Sequence, residues 1–175
     1  MEKLKQSHGV TVQWRSFELR PPGSPPISPE YSARIEAARP RLVAMAREQY
    51  DLELNVGPFG IDSRPALIGA KYAEAQGVGE AYHTAVFRAY WQEAQDIGRP
   101  DVLADLAAGV GLDRATFVAA LADAGFLAAM LADVDQARAY GLGGVPALVY
   151  NNKYLVSGAQ PYAVLAQVAE KVLAE

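Results

Sequence analysis

Cysteine is absent from all 175 residues of this chain. That excludes disulfides, thiolate metal sites and cysteine nucleophiles, although it does not by itself fix a redox compartment. Histidine is nearly absent too: His8 and His83 are the only two, and they lack the paired spacing of metal ligands. No metal site, no cofactor and no catalytic residue is assigned, and His83 reads as an ordinary helix residue. A basic excess is also missing, because the net charge is -4. This argues against nucleic acid as a main partner, since a phosphate-binding domain is usually basic. No apolar run approaches the roughly 18 residues that span a bilayer, and Met1-Glu2-Lys3-Leu4-Lys5 lacks the apolar core of a signal peptide. The sequence therefore predicts a cytoplasmic protein with no membrane segment. No internal repeat of fixed period is found.

What is present is apolar bulk, 51% of the residues, enough for one domain or a core with an inserted subdomain. Leu4 flanked by Lys3, Lys5 and Gln6, then His8-Gly9, looks like the last turns of a helix stopped by glycine. Val10 to Leu19 alternates β-branched and aromatic residues and predicts a strand, with Trp14 and Phe17 filling a core. The proline-dense stretch Arg20 to Pro29 predicts a stiff, extended connector.

From Pro29 to Tyr140 the periodicity is helical. A first helix enters at Ser28-Pro29-Glu30 with Ile35, Leu42, Met45 and Ala46 on one face and a kink or break at Pro40. An irregular stretch from Leu54 to Gly60 follows. Asp62 or Ser63 caps the next helix, which Gly77 closes. Glu80 to Ile97 predicts the longest helix, Pro100 opens another, Asp113 caps a further one carrying Phe117, and a last runs from Phe126 to Tyr140. The acidic pairs Asp101 with Asp105, and Asp133 with Asp135, read as solvated faces.

Then the period changes back. Ala147-Leu148-Val149-Tyr150 and Lys153-Tyr154-Leu155-Val156 flank Asn151-Asn152, and asparagine tolerates the positive φ that a tight hairpin needs. A closing helix follows Pro161, with Val164, Leu165, Val168 and Val172 inward. Immediately before the hairpin stands Gly143-Gly144-Val145-Pro146.

The order strand, helical insert, hairpin, helix resembles the thioredoxin fold. The segments Trp14-Arg15-Ser16-Phe17-Glu18-Leu19, Phe87-Arg88-Ala89-Tyr90-Trp91, Gly144-Val145-Pro146 and Val156-Ser157-Gly158-Ala159-Gln160-Pro161 are similar to the FrnE branch of the DsbA-like thiol-disulfide oxidoreductases. The resemblance implies an α/β, thioredoxin-like sheet of DsbA type with a large all-helical insertion and the first strand missing. It divides the chain into a first thioredoxin-like segment, 1–28, a helical insertion, 29–140, and a hairpin and C-terminal helix, 141–175. Family members open with a strand and a Cys-x-x-Cys at a helix N-terminus, where the dipole and free N–H groups favour a thiolate. Those elements would lie before Met1, so the chain as it stands is expected to be redox-inactive. Without that strand, the sheet is expected to be left with unpaired edges, rearranged, or joined to a neighbour's strand, which makes a homo-oligomer one expectation.

The resemblance places a cis-proline at Pro146 and makes Gly144, Val145 and Pro146 a substrate-binding loop. There Val145 offers its main chain to an extended peptide. Tyr90 or Trp91 is a candidate for a groove above Pro146. Gly158, Ala159 and Gln160 precede a helix N-terminus that could hold a carboxylate, although capping explains them equally. The implied partners are protein or peptide thiols and disulfides, with glutathione a second. Three functions stand open: a DsbA-like oxidoreductase without its thiols, a non-catalytic peptide-binding module, and a glutathione-dependent isomerase or transferase of the kappa type, for whose serine Ser7 lies too late in its helix.

Overall fold

Gly9 ends the first helix as its sequence position suggests. In the computed structural model, which describes residues 1–175, α1 spans Glu2–His8 and Gly9 adopts φ 62, its N–H bonding to the Lys5 carbonyl at 2.9 Å. A left-handed residue here satisfies a carbonyl that the helix end would leave orphaned. The remaining helices are α2 (Pro29–Tyr50), α3 (Arg64–Ala75), α4 (Gly79–Trp91), α5 (Pro100–Gly109), α6 (Arg114–Ala120), α7 (Ala124–Ala139) and α8 (Tyr162–Leu173), with strands β1 (Ala147–Tyr150) and β2 (Tyr154–Ser157) before α8. They form two compact units, one from Met1–Leu19 with Ala132–Glu175 and the other from Arg20–Leu131.

In the first unit β1 and β2 pair antiparallel, with Ala147 opposite Ser157 and Tyr150 opposite Tyr154. Asn151 and Asn152 turn the chain at φ 45 and φ 56, the left-handed conformations their side chains tolerate. α8 packs against both α1 and β1, with Leu4 and Ala169 buried. Val164 is exposed, and Leu165, Val168 and Val172 are only half-buried. Pro161 is the N-cap of α8, one position earlier than expected.

The strand expected over Val10–Leu19 does not form: the only sheet is the two-stranded hairpin. Strand propensity reports how well a residue fits a pleated, half-covered surface, and without a neighbouring strand that surface does not exist. Trp14 is accordingly 38% exposed instead of core, and Phe17 is half-buried. A carboxylate replaces the ladder. Asp133, on α7 and only 5% exposed, accepts the Ser16 backbone N–H at 2.9 Å on Oδ2 and the Arg15 guanidinium at 3.0 Å on Oδ1. Asp133 is thus no solvated residue, whereas Asp135, Asp101 and Asp105 are exposed partners of surface arginines.

In the second unit the side-chain hydroxyl of Ser28 caps α2 through the Tyr31 N–H at 3.2 Å, and the helix continues through Pro40. Of its expected inward face only Ala46 is buried, and Met45 is exposed. Asp62 Oδ1 accepts the Arg64 N–H at 2.9 Å at the head of α3. Asp113 caps α6 through the Thr116 N–H at 2.8 Å, and the Thr116 hydroxyl and backbone hold its carboxylate below the usual range. α4 stops at Trp91, six residues short of the expected Ile97. The irregular segment competes for its end, since Asn55 and Gly57 donate to the Trp91 and Tyr90 carbonyls at 2.9 and 2.6 Å. The core of this unit is where α3, α4, α5 and α6 meet, around Tyr72, Tyr82, Leu103 and Phe117. Each large apolar side chain buried there contributes about 1.5–3 kcal/mol. Tyr72 meets Phe117 and Phe126 edge-on, with ring centroids 5.9 and 5.4 Å apart, the geometry that aligns ring edge and face.

Candidate functional site

The hairpin register continues one step beyond β1. Gly158, at φ 80, donates its N–H to the Pro146 carbonyl at 2.9 Å, so Pro146 stands opposite Gly158. Proline has no N–H to return, and the pair is held by that one bond. In an antiparallel ladder, bonded and non-bonded pairs alternate. Pro146, Leu148 and Tyr150 therefore face β2, and the main-chain groups of Val145, Ala147 and Val149 face the opposite edge. The sheet has no third strand on that edge.

Around this edge the surface is bare and apolar. Val145 is 52% exposed and Val149 is exposed as well. The Val145–Pro146 peptide is cis. A methyl group added at Gly143 or Gly144 would meet nothing within 4 Å. An extended segment laid along the edge would find main-chain donors and acceptors from Val145, Ala147 and Val149, with apolar side chains beside them. Gly144, Val145 and Pro146, expected from the sequence as a substrate-binding loop, lie immediately before β1. Ala147 and Val149 stand two and four positions beyond Val145, so the hairpin register puts their main-chain groups on the same edge.

Gly158, Ala159 and Gln160 serve the hairpin and the approach to α8. Gly158 closes the Pro146 pair, and the Gln160 side-chain amide donates to the Ser157 carbonyl at 2.9 Å. Tyr90 and Trp91 belong to the other unit. There the Tyr90 hydroxyl donates to the Pro58 carbonyl at 3.3 Å, and its ring lies T-shaped to Trp91, centroids 5.1 Å apart. Gly57 makes room for that ring, because a Cβ there would lie 2.7 Å from Tyr90 Cδ2. Burial pushes the Tyr90 phenol above its ordinary pKa, with Arg39 partly opposing. Ser7 lies in the last turn of α1 and donates to the Lys3 carbonyl at 2.7 Å. His83 stacks on Phe87 with centroids 4.3 Å apart.

Helix, cis-proline loop, hairpin and closing helix occur in the order that a thioredoxin-type site requires, and residues 1–170 match the DSBA-like thioredoxin domain. The chain belongs to this family. Among relatives of the DsbA-like chain, the uncharacterized protein YwbO of Bacillus subtilis is 35% identical over 123 residues, 69% of this chain and 61% of that protein. The thiol:disulfide interchange protein DsbA of Azotobacter vinelandii is 33% identical over 99 residues, 51% of this chain and 46% of that one. The chain thus spans less than two thirds of the length of these relatives. Among solved structures, a probable DsbA oxidoreductase from Streptomyces coelicolor superposes with a TM-score of 0.73 at 27% identity, covering 84% of this chain and 65% of the other. A 2-hydroxychromene-2-carboxylate isomerase superposes with a TM-score of 0.80 over 98% of this chain and 86% of that one, but its 22% identity shows the fold alone.

Proposed function

We propose that this DsbA-like chain is the peptide-holding part of a thiol-disulfide exchange protein, of the FrnE type by its sequence segments. The observation that carries this reading is the exposed Val145 immediately before Pro146 at the head of the hairpin. Bound peptide would add to the edge as a strand, gaining main-chain hydrogen bonds, with Val145 setting a preference for apolar side chains. The chain cannot itself attack a disulfide, because exchange requires a thiolate and no cysteine is present. Any thiol reacting at this edge comes from outside the 175 residues. Acting alone, the chain binds substrate protein without oxidising or reducing it.

Fluorescence anisotropy with a labelled, cysteine-blocked extended peptide tests the reading. Val145→Asp places a charge where an apolar side chain would meet the peptide, at a site exposed enough to leave folding intact. Binding should fall about tenfold, the equivalent of about 1.4 kcal/mol. Equal binding by the two proteins would remove the β1 edge as the site, and turnover in an insulin-reduction assay would overturn the non-catalytic assignment.

A further inference from the structure

The junction of α1 with α8 holds a polar cluster that the peptide edge does not use. Ser7 Oγ lies 2.7 Å from His8 Nδ1, and His8 Nε2 lies 3.4 Å from Glu170 Oε1. A carboxylate only accepts, so the hydrogen of a neutral His8 imidazole belongs on Nε2, and Nδ1 then presents its lone pair to the serine. Ser7 has one hydrogen and two acceptors at the same distance, because the Lys3 carbonyl also lies 2.7 Å away. Turning the hydroxyl about its Cβ–Oγ bond moves that hydrogen from the carbonyl to the imidazole. With the Ser7 hydrogen so committed, Tyr162 is the donor across the 2.6 Å between the two hydroxyls. The His8 ring is held in place: it meets the Tyr162 ring edge-on with centroids 6.4 Å apart, and its side chain is only 13% exposed. Ser7 itself is exposed.

We infer that Ser7 is a nucleophile for small carboxylic esters, with His8 as its general base and Glu170 holding the imidazole. A nucleophile within hydrogen-bond reach of a base that a third group orients is the arrangement acyl transfer needs. Ser7 Oγ bonds to the ester carbonyl carbon while its proton passes to Nδ1. The bond from that carbon to the alkoxy oxygen then breaks, and Nδ1 gives the proton to the departing alcohol, leaving the acyl group on Ser7. Water repeats the sequence, losing a proton to Nδ1 as it adds to the acyl carbon. That proton returns to Ser7 Oγ as the carboxylic acid leaves. For the negative oxygen of each tetrahedral intermediate, the donors at hand are the Tyr162 O–H and the Lys3 ammonium, which stands 4.2 Å over the Tyr162 ring. Glu170 touches no reacting atom and is a positioning residue, its contribution limited because its side chain is 70% exposed. All five residues belong to α1 and α8, so the activity does not depend on the loop before β1.

Hydrolysis of p-nitrophenyl acetate by the full chain tests it, together with mass-spectrometric mapping of the residue that a fluorophosphonate labels. The label should land on Ser7, and Ser7→Ala should lose the hydrolysis. His8→Asn should lower kcat about 10²-fold, the usual share of a general base. Glu170→Gln should lower kcat about three- to fivefold with KM unchanged, and Glu170→Asp should restore part of that loss. His83→Asn should leave the rate intact, which separates the cluster from the esterolysis that any accessible imidazole performs. The inference is overturned if the parent is no faster than Ser7→Ala, if the label lands on another residue, or if His8→Asn keeps the parental kcat. The parental kcat in Glu170→Gln would remove the carboxylate from its role.

Discussion

Replacing Asp133 tests how the segment from Val10 to Leu19 stays in place without a ladder. Asp133→Ala removes the acceptor of the Ser16 N–H, 2.9 Å away, and of the Arg15 guanidinium, 3.0 Å away. Ser16 is only 5% exposed, so water cannot replace the lost acceptor. A buried amide left unpaired costs about 1–3 kcal/mol. The Arg15 side chain is half exposed, so its ion pair adds only about 0–1 kcal/mol. The sum is roughly 1–4 kcal/mol, a drop in Tm of roughly 2–16 °C for a chain of this length. Asp133→Asn keeps a carbonyl oxygen for Ser16 and should lose about 1 kcal/mol, while Arg15→Ala should lose still less. Urea titrations of the three variants measure the order, and tryptic cleavage at Arg15 reports release of the segment. The reasoning fails if Arg15→Ala costs as much as Asp133→Ala, or if Asp133→Ala stays within about 0.5 kcal/mol of the parent.

Gly69→Ala should destabilise the helical unit by about 1–3 kcal/mol, because its Cβ would lie 2.6 Å from both Phe117 Cζ and the Tyr82 hydroxyl; in a Tyr82→Phe background the cost should shrink, as a double-mutant cycle by urea unfolding would show. Tyr82→Phe alone should be neutral or stabilising, since that hydroxyl is buried without a partner. Burial also raises the Tyr82 phenol pKa, so its stabilising contribution is complete below the ordinary tyrosine pKa of about 10 and is lost as pH rises above it; Tyr82→Phe should blunt alkaline unfolding followed by circular dichroism. The Asp113 carboxylate has its pKa depressed by Thr116, so its cap stabilises above the ordinary carboxylate pKa and is lost as pH falls through the depressed value; Asp113→Ala should weaken the acid dependence of helicity.

The legible parts of the fold and the illegible ones differ in the range of the forces behind them. Gly9 as a helix stop, Asp113 as a cap and Asn151-Asn152 as a turn depend on neighbours a few residues away, so each could be read from the residue itself. That Ala147 and Val149 share an edge with Val145 needed the hairpin register, which pairing with β2 supplies. Asp133 was misread because its partners are more than a hundred positions away in the chain.

By itself, the sequence determined the helix caps, the hairpin turn, the DsbA-like order of elements and the lack of any thiol, because these follow from local backbone preferences and from composition. Tertiary structure decided the rest. Val10–Leu19 has the composition of a strand, but a strand exists only with a partner for its N–H and C=O groups, and here a single carboxylate takes that place. α4 ends at Trp91 because the backbone of Asn55 and Gly57 claims its last carbonyls. The open edge at Val145 likewise follows from which strands are present to pair, a property of the assembled sheet that no single residue carries.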